Sequence, residues 1–324
     1  MAKTKSKTDP RDGALRRFGP VAVPAGMGVT ARRVAKRPWP IEDYAGRGGY
    51  DPAFVDATKP LPLPGTGNWE VAEVDPAALR PGDDPHELKY THFSVKVSTR
   101  RRLPLFSAVN IDGAKSDRTV KRTNVWRFDP RIGKEYQIVD GVYGDDGRGF
   151  FSRGHMTRRE DPNWGDKKTA KLADADTFHA TNACPQRQEF NGGIWLDLEN
   201  YVLDNTDQEN IRVTVITGPV FDEDDPVYYD VPIPLGFWKI IVFTNAATRA
   251  LTALGYQRSQ ARVLPTRTRA LVFGDFQDTQ VSIAGLARET GLDLSRYAAL
   301  DVFERADPGM RVKLASVRDL YLTP

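Results

Sequence analysis

The sequence predicts an α+β protein, and three observations carry that reading. Leu103–Ile111, Ile211–Ile216 and Phe237–Phe243 are apolar, β-branched or aromatic runs of strand length. Residues 187–203 instead repeat Phe190, Ile194, Trp195, Leu198 and Val202 at helical spacing. The first 85 residues are rich in proline and glycine and show almost no period.

Taken in order, residues 1–85 read as a partly basic, mostly irregular N-terminal extension, draped over a body that spans 86–324. Within the extension only Trp69–Val74 carries a pattern. Order begins near Leu88. Phe93–Val97 alternates as a half-buried strand does, and Leu103–Ile111 suits a buried one. Arg118–Phe128 and Tyr136–Tyr143 are expected as further strands, with Asp112-Gly113 and Ile132-Gly133 as turn signals. Gly144–Gly149 is a glycine-rich loop that leads straight to His155. After the 187–203 helix come the strands around Ile211–Ile216 and Phe237–Phe243, separated by an acidic loop at Asp222–Asp225. Those acidic residues are contiguous rather than spaced as a calcium loop requires, which favours a solvated turn. Val281–Thr290 reads as a short helix closed by Gly291. No internal repeat is present.

Composition narrows the classes. The chain has 324 residues, 40% hydrophobic and 27% charged, an ordinary globular balance. No apolar run approaches the roughly 20 residues of a membrane-spanning helix. Pro20 and Pro24 interrupt the one weakly apolar stretch near the start, so no export core is expected and the reading is cytoplasmic. A single cysteine, Cys184, excludes an intramolecular disulfide and a multi-cysteine zinc site. Net charge is +3, unevenly spread: residues 1–40 hold ten Lys/Arg against Asp9 and Asp12. Such a basic arm can speed encounter with nucleic acid, or it can be a solvated leader. Arg100–Arg102 leaves the same choice between phosphate contact and a solvated basic turn.

Chemistry concentrates between residues 150 and 200. Nucleophile enzymes fit poorly, because no G-x-S-x-G elbow occurs and Cys184 has no supporting signature. Gly144, Gly147 and Gly149 are wrongly spaced for a phosphate-cradling loop and end in no lysine. What remains is Ser152-Arg153-Gly154-His155, then Thr181-Asn182-Ala183-Cys184-Pro185-Gln186, then Asn191 through Trp195 to Glu199. A lone histidine after a glycine loop is usually structural. Followed in order by the asparagine, tryptophan and glutamate, it reads as catalytic. On a helix Asn191 and Glu199 would differ by about 80° in azimuth and about 12 Å in rise. Both cannot ligate one small ion directly, but an amide oxygen can bind while a carboxylate reaches through water, as magnesium's reluctance to dehydrate favours.

This ordered set resembles the ββα-metal, DNA/RNA non-specific endonucleases of the Serratia nuclease and endonuclease G type. The resemblance covers roughly residues 105–245, including Thr217-Gly218-Pro219, and leaves the first 85 outside. It implies a central antiparallel β-sheet flanked by helices, with a ββα-metal element carrying the site. It implies His155 as general base, Asn191 as direct ligand of Mg²⁺ (with Mn²⁺ as a substitute) and Glu199 acting through water. Arg153 and, by a looser alignment in which Arg127 is a rival, Arg122 would be the guanidinium groups. DNA and RNA would be the substrates, cut to 5′-phosphate ends, with no membrane partner. A homodimer and an inhibitor or activator protein stay open. Ser152 stands where the family usually has aspartate. It leaves room for a catalytically weakened nucleic-acid-binding protein on the same scaffold, and the long extension leaves room for a regulated nuclease effector. Asn182 and Gln186 are expected to pin backbone, and His179 to be a scaffold histidine.

Overall fold

A computed structural model describes residues 33–34, 38–144, 151–187, 190, 200, 202–204, 206–208, 210–245, 248–260, 279–303 and 311–313. The described strands are β1 (Arg33–Val34), β2 (Leu88–Lys89), β3 (Phe93–Val97), β4 (Pro104–Asp112), β5 (Val125–Trp126), β6 (Ser152–His155) and β7 (Ala183–Gln186). They continue with β8 (Arg212–Val220), β9 (Val227–Tyr228), β10 (Val231–Pro232), β11 (Gly236–Thr244), β12 (Leu251–Ser259), β13 (Thr279–Val281) and β14 (Arg311–Lys313). Helices that lie wholly within the described residues are α1 (Lys167–Asp176), α2 (Ile283–Thr290) and α3 (Ser295–Ala298).

The centre is an eight-stranded sheet in the order β14-β13-β12-β11-β8-β4-β3-β2, antiparallel throughout. Its middle strands are covered on both faces, which is why their sequences are mostly apolar, with buried polar positions such as Ser107, Asn110, Thr214 and Lys239 among them. From β4, Phe106 and Ala108 enter one core, and Val109 and Ile111 the other. Along β11, Trp238, Ile240 and Val242 face the first of these and Ile241 the second. This period of two is the pleat itself. Against the first core lies α2, contributing Ile283 and Leu286. Ser282 caps its start by accepting from Gly285 N, and Gly291 ends it at φ 70, a left-handed conformation that glycine adopts without a Cβ clash.

Residues 38–85 hold two short 3-10 turns and pack onto both faces of the sheet. Tyr44 joins one core, while Tyr50 and Leu61 join the other. Each such side chain removed from water contributes about 2 kcal/mol. Polar contacts fix the path as well. Tyr50 Oη donates to the Leu61 carbonyl at 2.9 Å, Trp69 Nε1 to Thr290 O at 2.8 Å and Tyr297 Oη to Pro62 O at 2.7 Å.

Two expected strands differ. Arg118–Phe128 shortens to β5, because Thr123 bonds sideways to Asp174 and Asn124 turns to φ 54. Tyr136–Tyr143 forms no strand beyond an isolated bridge from Tyr143 to Phe151. There the Gln137 side chain bonds Asp129 N and O, and the Val139 carbonyl accepts from Arg153. The acidic loop and the basic turn meet one another: Arg101 contacts Asp225 at 3.2 Å and the Asp222 carbonyl at 2.7 Å, and Arg100 contacts Glu223 at 2.5 Å. Among the described residues no helix is long and apolar enough to cross a membrane.

At the end of α1, the carboxylate of Asp176 is fully buried and grips Arg47 at 3.1 and 3.2 Å. Breaking one side of a buried ion pair costs about 3–5 kcal/mol, because the other charge stays buried. Arg47→Ala should therefore lower unfolding stability by about that amount in a denaturant titration. A loss under about 1 kcal/mol would show that the pair holds little together.

Candidate active site

The first two sequence motifs become one ribbon. Strands β6 and β7 run antiparallel, with Ser152 opposite Gln186, Arg153 opposite Pro185, Gly154 opposite Cys184 and His155 opposite Ala183. A Cβ on Gly154 would stand 1.9 Å from Gln186 Oε1, so the glycine of one motif makes room for the glutamine of the other. Asn182 locks the open end. Its Oδ1 accepts from Thr157 N at 2.8 Å, and its Nδ2 donates to the carbonyls of Thr157 and Thr177 at 3.0 Å each. Asn182 thus pins backbone beside His155, while the Gln186 side chain fills the space left by Gly154.

His155 is half-buried at the end of β6. Its ring lies 4.8 Å from that of Trp126 and 5.0 Å from Phe178, the latter edge-on at 89°. Two large rings meeting the imidazole restrict its rotation, so its orientation is largely set before any substrate arrives. Arg122 is exposed, with its guanidinium 5.1 Å over the same Phe178. Thr123, next in sequence, donates its N and Oγ1 to Asp174 Oδ2, at 2.8 and 2.6 Å. The structure thus brings His155 and Arg122 to one aromatic wall, separated by Phe178.

Arg153 is placed differently from a substrate-facing arginine. It is buried, its Nε donates to the Val139 carbonyl at 2.7 Å, and Nη2 donates to the same oxygen. The guanidinium stands 4.7 Å over Tyr143 and 5.9 Å over Trp126. Trp126 therefore contacts both Arg153 and His155. Ser152 is half-buried on the same strand. Cys184 is sealed, and burial pushes its thiol well above the ordinary range, which leaves no thiolate nucleophile at neutral pH.

Asn191, Trp195 and Glu199 lie outside the described residues. Asn200, directly after Glu199, is helical and half-buried, and its Oδ1 accepts from Arg158 Nη2 at 2.9 Å. Arg158 is three residues past His155, so this bond ties Asn200 to the segment that follows β6. Among the described residues no group of three His, Cys, Asp or Glu could hold a metal ion.

The support behind the wall was not visible in the motifs. His179 is fully buried, and its Nδ1 lies 2.7 Å from the Asp176 carbonyl, which can only accept. Nδ1 must carry the proton, so Nε2 accepts from Tyr44 Oη at 2.7 Å. Asp176 Oδ2 also accepts from Thr91 N and Oγ1, at 2.9 and 2.7 Å. One aspartate thus binds residues 38–85, the β2–β3 turn and the segment holding Phe178. Its only sequence signal is a pair of aspartates, Asp174 and Asp176, at the end of an otherwise polar helix.

Comparison with known proteins then places the chain. A family model described as DNA/RNA non-specific endonuclease matches residues 76–300. The chain is 37% identical over 290 residues to an uncharacterized protein, y4fB, of Sinorhizobium fredii, covering 84% of this chain and 43% of that one. It is 27% identical over 216 residues to the mitochondrial nuclease EXOG of Danio rerio, covering 63% of this chain and 59% of the relative. The chain spans about half the length of the curated relatives it matches. A crystal structure of an EndoG/EndoGI complex superposes with a TM-score of 0.48 at 25% identity, covering 66% of this chain and 86% of that chain.

Burial lowers the His179 pKa to about 4, against about 6.5 for an unperturbed imidazole. Between those values the unfolded chain binds a proton that the native protein refuses. The contribution is complete above pH 6.5 and is lost as pH falls towards 4, by up to about 3 kcal/mol. Denaturant midpoints measured across that window should rise with pH in the native protein and rise less steeply in His179→Gln. Parallel slopes would show that His179 titrates normally.

Proposed function

We propose that this chain, which belongs to the DNA/RNA non-specific endonuclease family, hydrolyses phosphodiester bonds of DNA and RNA and leaves 5′-phosphate ends. The observation that carries this reading is the partly buried imidazole of His155, oriented by Trp126 and Phe178 and sharing Phe178 with the exposed guanidinium of Arg122.

In this reading His155 takes a proton from a water aimed at phosphorus, which an imidazole titrating near pH 6.5 can do in its neutral form. Attack loads negative charge onto the phosphate oxygens, and Arg122 is the accessible guanidinium to meet it. Arg153 acts from behind: by holding the Val139 carbonyl and lying over Trp126, it keeps the wall that orients His155. Ser152 in place of the family's aspartate fits that division, since Arg153 takes its anchor from a backbone carbonyl instead.

Asn191 and Glu199 offer an amide oxygen and a carboxylate, hard oxygen donors that suit Mg²⁺ and would accept Mn²⁺. When bound, such an ion supplies charge stabilisation at the phosphate and a source of protons for the leaving 3′-oxygen. The Arg158–Asn200 bond supports this assignment by joining the end of the Glu199 segment to the loop that follows His155.

A plasmid-nicking assay tests the reading. Nicking should require a divalent ion, stop in EDTA, and fall about 10²- to 10⁴-fold in His155→Ala, the usual worth of a general base. Plasmid binding without cleavage would instead favour a weakened binding protein on this scaffold. An unimpaired His155→Ala enzyme would remove the imidazole from the mechanism.

A further inference from the structure

Among the described residues, Arg127 is a buried cation without an anion. Its residue is 7% exposed, and among the described residues it forms no ion pair and no side-chain hydrogen bond. Nε and Nη1 are enclosed and bonded to nothing, which leaves Nη2 as the donor that solvent can reach. The Trp39 ring covers the guanidinium at 3.7 Å.

The surrounding charges do not balance it. Arg47, Arg127 and Arg131 gather around Trp39, Tyr44 and Tyr90. Asp176 is taken by Arg47 at 3.1 Å, and Asp129 by Arg131 at 2.7 Å. Three guanidinium groups therefore share two carboxylates, and the surplus charge is on Arg127. Burial lowers the Arg127 pKa, with Asp176 and Tyr44 opposing and Arg47 adding to the shift. A buried charge left unpaired is costly, and native proteins seldom leave such a group without a reason.

Its place in the fold supplies one. Arg127 follows Trp126, whose ring lies on His155. Its N donates to Phe178 O at 3.0 Å, and its O accepts from Ala180 N at 2.9 Å. Arg127 is thus fixed to the wall that holds His155. Successive side chains of extended backbone face opposite ways, so it presents its charge on the side away from the imidazole. A planar guanidinium is matched to phosphate oxygens, and its stacked indole limits how it can turn.

We propose that Arg127, held under Trp39, is an oxyanion site for a backbone phosphate of the nucleic-acid strand, distinct from the phosphate being cut. This rests on the nuclease reading above. The ligand chemistry is a phosphodiester; inorganic phosphate shares it and serves as the second probe.

Binding of a single-stranded oligonucleotide to the intact protein in EDTA, followed by fluorescence anisotropy across a salt series, tests the site. One lost phosphate contact should reduce the slope of log K against log salt by about 0.7 in Arg127→Gln, with Arg127→Lys close to the native slope. In metal-supported cleavage, Arg127→Gln should raise KM for the oligonucleotide several-fold. Bis(4-nitrophenyl) phosphate, too short to reach beyond the scissile position, should show much less of that loss. Inorganic phosphate should shift the Arg127 Nε–H resonance, assigned by its disappearance in Arg127→Lys. Equal salt slopes in native protein and Arg127→Gln overturn the proposal, and so does an equal loss on both substrates, which would mark a structural role. A phosphate shift without a slope change also overturns it, by leaving an ion site off the strand's path. If the native protein binds no oligonucleotide at all, the nuclease reading falls first, and that outcome is separate from a failure of Arg127 alone. Trp39→Phe, which keeps a ring over the guanidinium, should retain the native slope and guards against a misfolded Arg127→Gln.

Discussion

The carboxylate of Asp176 is the point on which the rest of this architecture depends. Sealed at the end of α1, it accepts from Arg47, from Thr91 N and from Thr91 Oγ1, while its own carbonyl takes the His179 Nδ1 proton. Those bonds bring together three stretches distant in sequence: residues 38–85, the turn between β2 and β3, and the segment containing Phe178. Without a charge there, Arg47 would be a buried cation and the N-terminal stretch would lose its inner anchor. Two residues earlier, Asp174 does the same for Thr123 and Arg159. The helix serves the site through its acidic end rather than through an apolar face.

From that anchor the geometry passes outward by packing. His179 is fixed, so Phe178 is fixed, and Phe178 meets the His155 ring edge-on. Trp126 closes the other side and is itself backed by Arg153. An imidazole that must take a proton in one direction benefits from such support, because no orientational freedom remains to be lost at reaction. The family match begins at residue 76, yet Tyr44 and Arg47 are part of this support. In this chain the residues before the matched region help to shape the site.

Much of this was legible in the sequence, and the exceptions have physical causes. Phe93–Val97 was readable to the residue because its apolar positions alternate with Ser94 and Lys96, although all five residues are buried, and α2 because Gly291 marks its stop. Leu103–Ile111 and Phe237–Phe243 were readable because burial on both faces leaves few polar positions, Ser107 and Asn110 in the first and Lys239 in the second. By contrast β12 mixes Thr252, Gly255, Gln257 and Arg258 with its apolar positions, and its pairing with β11 supplies what its pattern lacks. Helix α1 is too polar to show a stripe, although Asp166 caps its start by accepting from Lys168 N and Thr169 N. Arg118–Phe128 looked like a strand because local pattern cannot foresee Asp174 drawing Thr123 aside.

The candidate site divides the same way. Short motifs pointed to His155, Asn182 and Gln186, which the structure brings together on β6, β7 and the turn before β7, because their spacing sits in the chain itself. Burial could not be read there: Arg153 looks catalytic beside His155 in sequence, yet in space it faces the Val139 carbonyl. Nor could the motifs show that Arg127 holds a surplus charge, since that emerges only when Arg47 and Arg131 have taken their carboxylates.

A crystal structure of the protein with Mg²⁺ and a non-cleavable oligonucleotide would show the site at work. An ion should stand about 2.1 Å from the Asn191 amide oxygen, with the scissile phosphate between it and the His155 ring. An ion held elsewhere, or a His155 ring turned away from the phosphate, would contradict this arrangement.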